Sequence, residues 1–72
     1  MRLPIVTIVM YEGRTIEQKR RLVKAVTDAI VQSLAPAVTP EHVDIVINEI
    51  KKENRAGGGI LRSDEKESKS NP

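Results

Sequence analysis

Residues 5–11 (IVTIVMY) are apolar on both alternating phases, Ile5, Val9 and Tyr11 on one and Val6, Ile8 and Met10 on the other. A short β-branched run of this kind predicts a strand covered on two faces. Glu12-Gly13-Arg14 punctuates the chain, and Thr15-Ile16-Glu17-Gln18 matches a capping box, in which the Thr and Gln side chains satisfy each other's orphan backbone donors. The helix that follows carries Leu22, Val23, Val26, Ala29, Ile30, Ser33 and Leu34 at three- and four-residue spacing. Glu17, Arg20, Arg21, Lys24, Asp28 and Gln32 fill the other positions, so one apolar stripe is expected. Ala35-Pro36-Ala37-Val38 ends the helix, and Thr39-Pro40-Glu41 offers an N-cap followed by proline at the first helical position, which predicts a single turn. Residues 43–50 (VDIVINEI) form the second predicted strand.

Two strands separated by a helical crossover define an α/β fold, a short β-α-β unit with parallel strands and right-handed connection. Lys51-Lys52-Glu53-Asn54-Arg55 and Gly57-Gly58-Gly59 read as a loop, with a short hairpin around Ile60-Leu61. The expected organisation is one domain over residues 1–61 and a polar, disordered tail over 62–72 (RSDEKESKSNP), which has no apolar residue. One helix covers only one face of a two-stranded sheet. Because the first strand is apolar on both faces and the second nearly so, the uncovered face predicts an obligate oligomer.

Composition strengthens that expectation. A chain of 72 residues buries too little surface for comfortable stability on its own. It has no cysteine for a disulfide or a thiolate zinc site, and its one histidine, His42, is too little for a histidine metal site. Association is the remaining remedy. Twelve Lys plus Arg against 10 Asp plus Glu give a net charge of +2, and Tyr11 is the sole aromatic. Neither suits a nucleic-acid partner, which would call for a strong basic field or stacking rings. The basic helical positions Lys19, Arg20, Arg21 and Lys24 read mainly as a solvated face. No run approaches the roughly 20 apolar residues of a membrane span, so no membrane partner and a cytoplasmic location are expected.

The segments Pro4-Ile5-Val6-Thr7-Ile8, Tyr11-Glu12-Gly13-Arg14-Thr15-Ile16-Glu17-Gln18-Lys19 and Thr39-Pro40-Glu41-His42-Val43 resemble the 4-oxalocrotonate tautomerase family of the tautomerase superfamily, and the similarity runs to about Gly59. The resemblance implies short β-α-β chains that pair and assemble as a hexamer, a trimer of dimers, with active sites built across subunit boundaries. It also implies a cofactor-free isomerase that moves protons on small enol or keto carboxylates, with an N-terminal proline as general base. The secondary amine of such a proline keeps a free lone pair, and a dry, cation-lined pocket lowers its pKa towards neutrality.

Pro4 matches that proline by position, and would act only if exposed as the N-terminus. With Met1-Arg2-Leu3 attached its nitrogen is a tertiary amide without a basic lone pair; otherwise it is a strand-opening proline without chemistry. Arg14 matches the family arginine that binds substrate carboxylate, against the plainer reading of a solvated turn arginine paired with a nearby glutamate. Asp44 stands where the other catalytic arginine is normal. Two like charges about 4 Å apart at an effective dielectric near 20 repel by roughly 4 kcal/mol, so a substrate carboxylate is disfavoured there unless Asp44 is paired. Arg55 falls where the family commonly has an aromatic wall. It supplies a replacement cation, remains an exposed loop arginine, or pairs with Asp44.

Three functions follow. One is a tautomerase-like isomerase subunit acting on a small carboxylated substrate, within a homo-hexamer or a hetero-oligomer whose second subunit brings the free proline and missing arginine. Another is a non-catalytic or repurposed structural or binding subunit of the same assembly. A third uses the Met1 amino group, ordinarily of pKa about 7.7–8.0, or a pocket water as base.

Overall fold

A computed structural model describes residues 3–65 of the chain. Strand β1 spans Ile5–Tyr11, helix α1 Ile16–Leu34 and strand β2 Asp44–Ile50; a hairpin of β3 (Ala56–Gly57) and β4 (Ile60–Leu61) follows. β1 and β2 pair in parallel, with Ile5 opposite Asp44 and Tyr11 opposite Ile50. This is the expected β-α-β unit, with the second strand starting one residue later than the sequence pattern suggested.

Helix α1 begins where the capping box directs it. The Thr15 hydroxyl accepts from the Gln18 amide at 3.0 Å, and the Gln18 side-chain oxygen accepts from the Thr15 amide at 2.9 Å. Its half-buried stripe is Lys19, Leu22, Val23, Val26, Thr27, Ile30 and Val31, whereas Ala29, Ser33 and Leu34, expected on that stripe, are exposed. The discrepancy follows from geometry. The stripe turns with the 3.6-residue period, so Val31 succeeds Thr27, and a 19-residue helix of about 28 Å is longer than a seven-residue strand of about 23 Å. The Lys19 ammonium meets the Glu49 carboxylate of β2 at 2.9 Å, tying helix to sheet.

The single turn expected at Thr39-Pro40-Glu41 is a 3-10 turn over Pro40–His42. His42 acts as a cap, its Nδ1 accepting from the Thr39 amide at 3.2 Å. The β3–β4 hairpin turns through Gly58 and Gly59 at φ of 60° and 84°. Consecutive positive φ values are demanded by the tight turns that match strand twist. The polar run from Arg62 opens with a 3-10 turn, Arg62–Asp64, held by the Arg62–Glu65 ion pair and by the Arg62 amide donating to the Arg55 carbonyl at 2.7 Å. The rest of the expected tail, 66–72, lies outside the described residues.

Val6, Ile8, Met10, Ile45 and Ile47 alternate onto the helix side of the sheet and are half-buried. The other side has no cover among the described residues: Ile5 is 56% exposed, Val9 60% and Val46 52%. Among the described residues none is fully buried. Each large aliphatic side chain left in water forgoes about 1.5–3 kcal/mol, so a lone chain lacks most of the stabilisation its own sequence could supply.

Thr15→Ala should lower unfolding free energy by about 1 kcal/mol, because the Gln18 amide it caps has no other partner among the described residues. Thr15→Ser should retain most of that stability. Urea titration at one fixed protein concentration measures both, since any association would make the midpoint concentration-dependent.

Candidate functional site

Because β1 and β2 are parallel and in register, their carboxyl ends lie side by side. That edge is where open parallel sheets ordinarily leave a crevice for ligands. The Glu12 amide extends the ladder by one bond to the Ile50 carbonyl at 2.9 Å. Gly13, at φ 116°, then turns the chain, a backbone state that a side chain would strain. Arg14 follows, just before the Thr15 cap. From β2 the chain makes a 3-10 turn over Lys52–Asn54 and returns Arg55 towards the end of β1. There Arg55 Nη1 donates to the Tyr11 hydroxyl at 3.3 Å. The Arg55 guanidinium carbon and Lys52 Nζ each lie 6.0 Å from the centre of the Tyr11 ring, within cation–π range.

These residues border a cavity of about 460 Å³ lined by Val9, Met10, Tyr11, Arg14, Ile50 and Arg55. Its size suits a small organic molecule. The lining has two guanidinium groups, one phenol and no carboxylate, and neither Arg14 nor Arg55 makes an ion pair among the described residues. A concave surface with that balance favours an anion, and planar guanidinium groups are suited to grip carboxylate oxygens in pairs.

Pro4 and Asp44 occupy the opposite end of the sheet. The Asp44 amide donates to the Pro4 carbonyl at 3.1 Å, while the Asp44 side chain is exposed. The Pro4 nitrogen is acylated by Leu3. Seven-residue strands separate the two ends by about 20 Å at roughly 3.3 Å per residue. Within one chain, therefore, Pro4 cannot reach a small molecule lying against Arg14, and Asp44 cannot pair with Arg55. The Met1 amino group lies outside the described residues.

Three of the four basic helical candidates are engaged, Lys19 with Glu49 as described above. Arg20 pairs with Glu17 at 3.0 Å and Lys24 with Asp28 at 2.9 Å, both exposed pairs worth little energetically but sufficient to break up a basic field. Among the described residues no three His, Cys, Asp or Glu side chains converge as metal ligands, and no helix is long and apolar enough to cross a membrane. Sequence reasoning gave Tyr11 no place in the site. Its one signal was position, the sole aromatic standing at the strand end immediately before a glycine turn.

The fold and this edge define a minimal parallel β-α-β chain with a concave pocket that holds two arginines. A family model described as "Tautomerase enzyme" matches residues 4–64. A probable tautomerase of Lactiplantibacillus plantarum is 44% identical, covering 88% of this chain and 95% of its own length. The 2-hydroxymuconate tautomerase of Bacillus subtilis is 40% identical, covering 86% and 97%. Among solved structures, YwhB, a homologue of 4-oxalocrotonate tautomerase, superposes with a TM-score of 0.77 at 40% identity, over 88% of this chain and 100% of its own. A heterohexamer 4-oxalocrotonate tautomerase from Chloroflexus aurantiacus gives 0.74 at 29% identity, over 86% and 97%. The chain belongs to the tautomerase family.

Gly59→Ala should strain the hairpin turn by about 1–2 kcal/mol. Hydrogen exchange at the Arg62 amide, which closes the hairpin onto Arg55, should then accelerate roughly tenfold or more. Amides of the β1–β2 ladder should exchange as before.

Proposed function

We propose that the chain is a 4-oxalocrotonate tautomerase-like subunit, an isomerase that moves a proton within a small enol or keto carboxylate at a site shared between two chains. One observation carries this reading: Arg14 and Arg55 flank a carboxylate-free cavity about 20 Å from the Pro4 end of the same sheet. A substrate held by the cations of one chain would meet the proline of another. The uncovered sheet face supplies the reason for chains to associate, and the hexameric relative supports the same direction.

In this mechanism Arg14 binds the substrate carboxylate, and Arg55 stabilises the charge that grows on the substrate's other oxygen group as a proton leaves the enol oxygen or the carbon beside the carbonyl. Pro4, once freed at its nitrogen, takes that proton as a secondary amine and returns it to another carbon of the conjugated chain. Arg55 provides the cation that Asp44 does not, from the loop after β2 instead of the start of that strand. No cofactor is required, since the electrons stay within the substrate.

The acylated nitrogen of Pro4 and the exposed carboxylate of Asp44 favour a second reading, a subunit without its own base. Such a chain would serve as a structural or binding member of the assembly, and in a hetero-oligomer its neighbour would bring the free proline and an arginine at the position of Asp44. The heterohexamer relative makes this a concrete alternative to a homo-hexamer.

A version beginning at Pro4 should turn over 2-hydroxymuconate about 10²–10⁴-fold faster than the chain with residues 1–3 attached, the usual worth of a general base. Equal inactivity of both versions would favour the second reading. Sedimentation should find the full chain as an oligomer and Val46→Glu as a monomer, because an unpaired buried charge costs several kcal/mol. A wild-type monomer at micromolar concentration would remove the shared site.

A further inference from the structure

We infer that Tyr11 is a specificity-determining contact of the pocket, its hydroxyl donating to a second anionic or carbonyl oxygen of the ligand while accepting from Arg55. The inference deepens the proposed reading and rests on its anion pocket. The phenol lies at the carboxyl end of β1, half-buried, in the cavity wall shared with Arg14 and Arg55. A phenolic oxygen has one proton to give and lone pairs to receive. One lone pair is taken by Arg55 Nη1 at 3.3 Å. Among the described residues the proton goes to no protein acceptor. A cavity lining without a carboxylate offers no anionic acceptor, so the half-buried hydroxyl gives its proton to water in the free protein and a ligand oxygen can take that water's place.

Charge makes this hydroxyl a better donor than an isolated tyrosine. The guanidinium that donates to it withdraws electron density, and hydrogen bonds in such a chain reinforce one another. Lys52 Nζ and the Arg55 guanidinium, each 6.0 Å from the ring centre, surround it with positive potential. An oxygen bearing negative charge is therefore preferred at this position. With one carboxylate on Arg14, the Tyr11–Arg55 pair recognises an oxygen group at the other end of a short, flat carbon chain. The ligand class is a small acid with a second carboxylate, enolate or keto oxygen, in preference to one ending in a methyl group.

Fumarate and crotonate separate these terms, because they share a trans four-carbon skeleton and differ by a carboxylate against a methyl. Calorimetry of the full chain should show fumarate binding at least about tenfold tighter than crotonate, the scale of one hydrogen bond to a charged group. Since Tyr11 is the sole aromatic, fumarate should also change the intrinsic tyrosine emission of the protein. Tyr11→Phe should weaken fumarate about tenfold and leave crotonate unchanged, whereas Arg14→Ala should weaken both. Fumarate binding unaltered by Tyr11→Phe, or equal losses for the two acids, overturns the role of Tyr11 alone. Failure of the wild-type chain to bind fumarate overturns the anion pocket itself, and the Tyr11 contact with it.

Discussion

A single amphipathic helix can lie against only one face of a two-stranded sheet. Everything distinctive about this chain descends from that limit. The residues that alternate towards α1 gain partial cover, and those that alternate away, Ile5, Val9 and Val46, face water. The local elements are nevertheless well formed, with a reciprocal cap on α1, an unbroken parallel ladder and a hairpin closed by the Arg62 amide. Local order therefore outruns global burial: each element is specified, but the apolar area that would stabilise their sum has no partner among the described residues.

The parts legible in the sequence were those governed by nearest neighbours. Thr15 and Gln18 are three residues apart, and their mutual cap follows from spacing alone. The alternation within β1 gave its two faces, and the triple glycine gave the hairpin. The helical stripe is less legible, because Leu34 is apolar and correctly spaced yet exposed, at the end of a 19-residue helix that outruns a sheet of seven-residue strands in length. No periodicity encodes where the opposing surface stops.

The pocket was legible by half. Arg14 and Arg55 stood out as cations in telling places, but their convergence depends on the return of the chain through Lys52–Asn54, and the Tyr11–Arg55 bond spans 44 residues. Long-range pairs of this kind leave no mark in local spacing. An Asp44–Arg55 pair is open on sequence alone, and the strand between them closes it within one chain. Asp44 starts β2 and Arg55 lies past its end, so an acid and a base that seem to compensate one another in composition occupy opposite edges of the chain.

The length of that spacer also bears on how such a protein can change over generations. In the proposed assembly, where the base and the anion grip lie at opposite ends of one chain and serve different neighbours, each end would be separately dispensable. A lineage can lose function at the proline end while selection maintains the grip, provided a sister chain makes good the loss. Gene duplication would then leave two partial copies that are useful only together, a division of labour set by the span of a seven-residue strand.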